Sequence, residues 1–485
     1  MKIKTFLGYK GACITIRGLP ENIANRIVAN NHIPNPEYAN AEKFSSYSVV
    51  ADSIPEYLDF AWLFKDEVTC YRGALDRLPT RMRYIRSMIR WTDQRTTLPV
   101  KFPKLKLSYT AEQDNCMTAL EDVLRYNRRP FGNMLFVAST AVGKTILQAV
   151  VAARLGQKAL VICPTDLIMR TWVEDLKKAY GINKKSIGII KQKKWIIGEH
   201  FTLASLQTLG RRQERWGKLN NLFGTIIVDE VQGCSAPTLF TFLTQCPAMY
   251  LVGATATMDT RSGPNFHLKA LFGSPIIVVN TYHRETATSL PISEVRLIET
   301  DFRYVYQQGN LDWHDLSMHL TGDEDRNQLI IKNVSKEWSS GRSILIVTKT
   351  REHCSLLVEM LLEAGVTNVN EINGSTNTNR FYTDKLLRAV RSRKVTCIVA
   401  TLQAIKTGAN IPTLDSLHIV MPPANRRDWE QVIGRIRRKA DGKESAVVSF
   451  YFDKQVGYIL SLYKRIIVPV MRKMKVPGFE NLYLA

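Results

Sequence analysis

The sequence predicts an α/β protein: two parallel-sheet units in tandem, preceded by a smaller α+β region. Three observations carry this. From about residue 105 to 285, short apolar runs (MLFVAS, KALVICP, FTLAS, GTIIVDE, MYLVGAT) alternate with segments long enough for crossover helices. After a break near RETATSLPISEV a second series follows: SILIVTK, NVNEING, VTCIVAT, LDSLHIVMP and AVVSFYF. Between the first strand and the first helix of the first series lies ASTAVGKT, a loop with the composition of a phosphate cradle.

The order along the chain sets the expected domains. Residues 1–104 form an accessory region. In it KTFLGYKGACITIRGL alternates like a hairpin, and SSYSVVADS and EVTCYRG read as further strands. RLPTRMRYIRSMIRW reads as a helix with Pro79 near its start and Arg83, Arg86 and Arg90 on one face. From Arg72 to Lys104 there are nine basic residues against Asp76 and Asp93, a stripe suited to phosphates or simply to solvent. TTLPVKFPKLKLS reads as a linker. The two parallel units span 105–285 and 286–455. A basic, amphipathic extension over 456–485 follows and is expected to pack back on the core.

A chain of 485 residues is long enough for about three domains, each with its own core. Its formal net charge of +22 and pI near 9.6 point to a polyanion partner, most simply nucleic acid. The eight cysteines contain no C-x-x-C pair, which argues against structural zinc or a disulfide framework. No apolar run reaches 18 residues and the N-terminus has no signal-peptide core, so a cytoplasmic protein without membrane contact is expected.

Four motifs carry chemistry. The loop runs Ala138, Ser139, Thr140, Ala141, Val142, Gly143, Lys144, Thr145 between an apolar strand and a helical pattern that stops at Gly156. Free N–H groups, a helix dipole, the Lys144 charge and the Thr145 hydroxyl would converge there on a phosphate and its Mg²⁺. In TIIVDEVQG a buried strand delivers two carboxylates. Asp229 suits the Mg²⁺, and Glu230 suits positioning and deprotonating the water that attacks a γ-phosphate. LVGATATM ends another strand in Thr255 and Thr257, a weaker signal. In DWEQVIGRIRRK, Gln431, Arg435 and Arg438 have helical spacing and would share a face, with Arg437 and Lys439 pointing elsewhere. Arginines so placed can neutralise charge developing on a transferred phosphoryl group.

Together these elements resemble a superfamily 2 helicase over roughly residues 105–455. LSYTAEQDNCMTAL resembles that family's adenine-reading segment, with Gln113 as the glutamine, and ASTAVGKT is similar to its A-x-x-G-x-G-K-T loop. VICPTDLIMRTWVEDL looks like motif Ia, with Pro164 and Thr165 near a nucleic-acid strand. TLASLQTL is similar to the next contact segment, around Ser205 and Gln207. DEVQ matches the DExx box and GATAT motif III. ILIVTKTREHC resembles motif IV, with Thr348 and Lys349; VATLQAIKTGANIP resembles motif V, with Thr401 and Gly408; QVIGRIRR resembles motif VI. Departures from the pattern are Ala141 for glycine, Gln232 for histidine, and Asn410 where an acid is frequent. STAVGKTILQAVVAARL and DRNQLIIKNVSKEWSSGRSILIVTKTREHCSLL carry a closer likeness to the phage UvsW-type branch-migration helicases, in the wider group with XPB and RecG.

The resemblance implies two RecA-like domains and an ATP- and Mg²⁺-dependent motor, expected as a monomer, that moves 3′→5′ on single-stranded, forked or branched DNA. A double-stranded DNA translocase without strand separation and an RNA helicase share these motifs and remain open. So does a nucleic-acid-binding scaffold with a dead ATPase, although every catalytic position is filled.

Overall fold

The computed structural model describes residues 2–5, 13–35, 38, 55–77, 90–92, 95–125, 132–138, 142–183, 186–231, 237–255, 263–279, 292–305, 311–373, 380–406, 411–423 and 425–473. The chain divides into two compact units. The first comprises residues 1–138 and 143–279, and the second is made mainly of 280–485.

The first unit begins with a five-stranded sheet. Its strands are β1 (Lys2–Thr5), β2 (Cys13–Arg17), β5 (Ala61–Phe64), β6 (Glu67–Tyr71) and β7 (Arg90–Thr92), in the order β5-β6-β2-β1-β7. A small ribbon of β3 (His32–Pro34) and β4 (Tyr57–Asp59) stands apart. β1 and β2 pair antiparallel, as the alternating N-terminal pattern predicts. Ile14, Ile16, Val68 and Cys70 meet Ala24 and Ile27 of the helix Glu21–Asn30 in a small core. One expectation is overturned here. Arg90 does not continue a helical face, because Arg90–Thr92 is a strand whose residues pair parallel with Lys2–Lys4. Trp and Thr favour the extended backbone, and the neighbouring strand decides it. Arg83 and Arg86, and the segment SSYSVVADS, lie outside the described residues.

This sheet packs on the helices Pro237–Gln245 and Gly263–Phe272, which cover the next sheet. Arg72 is buried and donates to the Ala248 carbonyl at 3.1 Å. Tyr71 meets Phe240 edge-on at 5.3 Å, and Phe60 meets His267 at 5.4 Å. At Gly73 the backbones nearly touch: a Cβ there would stand 2.4 Å from the Lys269 carbonyl oxygen. The predicted linker is also docked. Residues 96–106 bond to Pro247, Gly156 and Ala179, and Phe102 packs on Phe201.

The large sheet of this unit has eight strands in the order β11-β10-β12-β9-β13-β14-β8-β15. These are β8 (Asn133–Ala138), β9 (Ala159–Cys163), β10 (Gly188–Lys191), β11 (Lys194–Ile196), β12 (Phe201–Ser205), β13 (Thr225–Asp229), β14 (Tyr250–Thr255) and β15 (Ile277–Val279). All pairs are parallel except the edge hairpin β10–β11. Helices cover both faces. Ala111–Arg125, Lys144–Leu155 and Asp166–Tyr180 bury one side, and Leu206–Arg211, Pro237–Gln245 and Gly263–Phe272 the other. The central strands β8, β9 and β13 are buried along their whole length, which explains their unalternating apolar composition.

The second unit holds a six-stranded, wholly parallel sheet, β16-β21-β20-β17-β19-β18. It consists of β16 (Ile292–Glu299), β17 (Ile344–Thr348), β18 (Val369–Ile372), β19 (Cys397–Thr401), β20 (Ser416–Ile419) and β21 (Ala446–Phe452). The break read at PISEV is in part a strand: β16 lies at the sheet edge, where alternation is weak and one face is wet. Residues 457–473 form helical turns, and Tyr463 packs on Phe450 and Phe452. In the core of this unit Arg326 and Asp453 are both fully buried. Arg326 Nε lies 2.8 Å from Asp453 Oδ1, and Nη2 donates to the Val420 carbonyl at 2.6 Å. Among the described helices none is long and apolar enough to cross a membrane.

Removing one partner of such a pair strands the other charge. Arg326→Ala should lower the stability of the second unit by about 3–5 kcal/mol. The urea midpoint of that unit and the hydrogen-exchange protection of β20 and β21 report it. An unchanged midpoint would show that the pair does not hold the sheet.

Candidate nucleotide site and nucleic-acid edge

β8 carries the chain into the loop, of which Ser139, Thr140 and Ala141 lie outside the described residues. Ala138 ends the strand fully buried, Val142 is buried, and Gly143 has φ +73°. That left-handed backbone needs glycine, and a Cβ there would also stand 2.9 Å from Gln113 Nε2. The helix Lys144–Leu155 starts at once, so its first N–H groups have no intrahelical acceptors. Thr145 is half-buried in this first turn. Gln113 is buried beside the loop. Its Oε1 accepts from Thr110 N at 3.1 Å, while Thr110 Oγ1 accepts from Gln113 N at 3.3 Å, a reciprocal helix cap. Its Nε2 reaches the Gly143 carbonyl at 3.5 Å.

Two strands away, β13 ends in Asp229, which is buried, and Glu230, which has φ +56°. A left-handed glutamate is strained and marks a functional turn. The turn leaves Glu230 Oε1 3.2 Å from Lys144 Nζ. Val231 then tucks against Gly253 of β14, where an added Cβ would meet Val231 Cγ1 at 2.4 Å. The Lys144 ammonium is buried. Among the described residues its contact with Glu230 is an ion pair without hydrogen-bond geometry.

Asp229 has a partner that the motifs did not indicate. Trp172, fully buried on the helix Asp166–Tyr180, donates its indole N–H to Asp229 Oδ2 at 2.9 Å. The signal was available: Met169, Trp172 and Leu176 lie on one helix face, and a buried indole needs an acceptor. Burial first, and repulsion from Glu230 second, push the Asp229 carboxyl up to about 6, against the Trp172 hydrogen bond and the Lys144 charge. Gln148, also buried, donates to the Val228 carbonyl at 3.1 Å and fixes the loop helix to the acidic strand. Thr255 is buried at the end of β14, and Thr257 and Gln232 lie outside the described residues.

The expected nucleic-acid contacts of this unit gather at the same sheet edge. β9 ends at Cys163, followed by half-buried Pro164 and by Thr165, whose Oγ1 accepts from Ile168 N at 3.3 Å. Ser205, at the end of the adjacent β12, stands opposite Cys163, and Gln207 is exposed.

In the second unit Thr348 and Thr401 are opposed at the ends of β17 and β19. Thr348 is fully buried and shares a 2.7 Å hydrogen bond with His353 Nδ1, so its side chain is not on the surface where a strand could touch it. Lys349 is exposed, with Nζ 3.0 Å from Ser317 Oγ and 4.7 Å from the Trp313 ring centre. Thr401 Oγ1 accepts from Ala404 N at 3.4 Å. Gly408 and Asn410 lie outside the described residues. The helix Arg426–Ile436 bears Gln431 and Arg435, both buried. It stops before Arg438, which therefore does not share the helical face expected of it, and Arg437, expected to point away, is only 3% exposed. Lys443 caps the stop. Its buried ammonium donates to the carbonyls of Ile436, Arg438 (2.9 Å) and Pro412 (3.0 Å), holding the helix end by its orphan acceptors. Burial lowers this ammonium to about 8.

A phosphate loop, an acidic strand end beside it and a second parallel sheet with an arginine helix define the superfamily 2 helicases, and the chain belongs to that family. Two family models match it, together over more than half its length: "Type III restriction enzyme, res subunit" over residues 106–260 and "Helicase conserved C-terminal domain" over 325–440. "Probable helicase D10" of Escherichia phage T5 is 28% identical over 366 residues, 73% of this chain and 74% of its own. "Transcript termination protein A18" of ectromelia virus is 24% identical over 78% of each chain. Among solved structures, S. cerevisiae Dbp5 bound to RNA and ADP BeF3 matches 76% of this chain and 88% of its own, at 14% identity and a TM-score of 0.54, a shared fold. T4 UvsW matches 93% of this chain and 90% of its own, at 15% identity and a TM-score of 0.39. The chain is thus an ATP-dependent, nucleic-acid-dependent enzyme of the helicase class.

The raised Asp229 value has a consequence for stability. The folded state disfavours the charged carboxylate, so the penalty is absent below its unfolded value near 3.8 and complete above about 6. A displacement of this size corresponds to about 3 kcal/mol. Asp229→Asn should therefore raise the melting temperature of the nucleotide-free protein at pH 8, with a smaller gain at pH 4.5. Equal gains at both pH values would contradict the burial penalty.

Proposed function

We propose that the chain is a DNA helicase that moves 3′→5′ and unwinds or branch-migrates forked and junction DNA, of the UvsW type, in phage replication, recombination or repair. The observation that carries this reading is the grouping of Lys144, Asp229 and Glu230 at the same sheet edge as Thr165, Ser205 and Gln207. A phosphate-driven change at one end of that edge acts on residues at the ends of the neighbouring strands β9 and β12.

The residues fit ATP with Mg²⁺. A buried ammonium with unfilled donors and a helix start suit a polyphosphate, and a hydroxyl with a carboxylate suits a hard cation. Thr145 and Asp229 would hold the Mg²⁺, which when bound neutralises phosphate charge. Lys144 exchanges its contact with Glu230 for the β- and γ-phosphates. Glu230, released, orients the attacking water and takes its proton. Trp172 aims Asp229 and favours its ionised form against burial. Gln113 reads the base, and the loop N–H groups of 138–143 hold the phosphates. Gln431, Arg435 and Arg438 stabilise the charge of the transferred group, and Gly408 contributes to the nucleotide side of motif V. Lys349 and Thr401 contact the strand through its backbone, as Pro164, Thr165, Ser205 and Gln207 do, so binding is salt-sensitive and sequence-tolerant. Residues 1–104, with Arg83 and Arg86, help to grip the DNA. The matching restriction-subunit model keeps a duplex translocase without strand separation as the second reading.

Turnover measured with single-stranded, duplex and forked DNA and with RNA, alongside separation of labelled strands, decides between them. Fork-stimulated turnover with strand separation is expected. Stimulation without separation would favour the translocase, and preference for RNA would overturn the DNA assignment. Lys144→Ala should cut turnover by about 10²-fold or more. Glu230→Gln should keep ATP binding and lose hydrolysis, and loss of both would contradict its role. Arg438→Ala should lower turnover more than nucleotide affinity; a normal rate would remove it from the site.

A further inference from the structure

The edge hairpin β10–β11 is absorbed by none of the helicase motifs. β10 runs parallel to β12, so its C-terminal end emerges beside Ser205, at the edge that carries the expected strand contacts. The turn, Gln192–Lys193, is pinned there. Gln192 has φ +53°, and its N–H donates to Thr208 Oγ1 of the helix Leu206–Arg211 at 2.9 Å. Lys191 pairs with Asp166, one residue beyond Thr165. On the other side the Arg215 guanidinium lies over the Trp195 ring, 4.9 Å from its centre. These contacts make the hairpin, the start of the motif Ia helix and residues 206–218 one surface.

That surface is strongly basic. Lys193, Lys194, Arg211, Arg212, Arg215 and Lys218 are exposed on it. Besides Asp166, which Lys191 holds, Glu214 lies 3.8 Å from Arg212 and 4.0 Å from Arg215, and Lys193, Lys194 and Arg211 have no carboxylate partner among the described residues. An ordinary solvated face balances the two signs; this one sets Asp166 and Glu214 against seven lysines and arginines and leaves three of those charges without a carboxylate partner among the described residues. It also offers no exposed aromatic ring among its described residues: Trp195 is half-buried beneath Arg215, and Trp216 is buried. Single-stranded nucleic acid is held by stacking platforms as well as charge. Charge without stacking matches a partner whose bases are already paired and whose phosphates are outermost.

We infer that the hairpin β10–β11 together with residues 211–218 is a second DNA site, which clamps the phosphate backbone of the duplex arm next to the strand held at Thr165, Ser205 and Gln207. The inference rests on the proposed function and adds to it the place where the unopened duplex lies. Each phosphate contact contributes about 0.9 to the slope of log K against log salt.

The test compares the full-length protein with the K193A/K194A/R211A variant on forked DNA, blunt duplex and a single strand, over a salt series, with single-strand-stimulated turnover measured in parallel. The substituted side chains are exposed, and K193R/K194R serves as the charge-conserving control. The variant should bind fork and duplex about tenfold more weakly near 0.1 M salt, with a salt slope lower by about 2–3. Its affinity for the single strand and its single-strand-stimulated turnover should stay within about twofold, and the arginine control should bind as the parent does. Unchanged duplex affinity and slope would overturn the inference alone. Equal losses on single strand and duplex would also overturn it, reducing the patch to a general backbone contact. A parent protein that binds no DNA and shows no stimulated turnover would overturn the proposed function, and the inference with it.

Discussion

Parallel strands impose one constraint on which both units depend: each connection must recross the sheet, so every strand of the ladder finishes at the same edge. Cys163, Ser205, Asp229 and Thr255 are brought to one line by this rule alone, as are Thr348 and Thr401 in the second sheet. Irregular backbone is then needed only at the ends. Gly143 and Glu230 supply it with positive φ, and Gly253 supplies room for the turn that follows Glu230.

A rigid edge can hold charges that water would otherwise stabilise better. Asp229 is kept near neutrality's border by burial, with one indole N–H and one ammonium working the other way. In the second unit the buried ammonium of Lys443 gathers three carbonyls where the arginine helix stops and ties that helix to Pro412. In both places burial disfavours the charged group, and fixed partners that pre-exist the ligand offset part of that cost.

The strands and their sequence along the chain were legible because buried parallel strands are short, apolar and continuous, and because Lys144, Asp229 and Glu230 need fixed spacings from strand and helix ends. Edges were less legible. β15, β16 and the hairpin β10–β11 have mixed composition because one side faces solvent, and Arg90 read as helical because its local pattern competes with a pairing to β1 that is 88 residues distant in sequence. Trp172 and Lys443 were hidden for another reason: a motif records the group that meets the ligand, whereas these two act on that group through space. The helix ends at Ile436, where Lys443 caps it from outside the motif, so spacing alone misassigned Arg437 and Arg438.

The seam at Gly73 bears on how such a chain can change over generations. With the Lys269 carbonyl oxygen 2.4 Å from where a methyl would sit, even the smallest side chain forces the segment after β6 away from the helix Gly263–Phe272. Cutting the seam would also uncover Phe240 and His267 and leave the Ala248 carbonyl without Arg72. The N-terminal sheet is therefore not an interchangeable module. A recombination joint placed between it and the phosphate-loop sheet would need compensating changes on both sides at once, so the two are expected to be inherited as a single block.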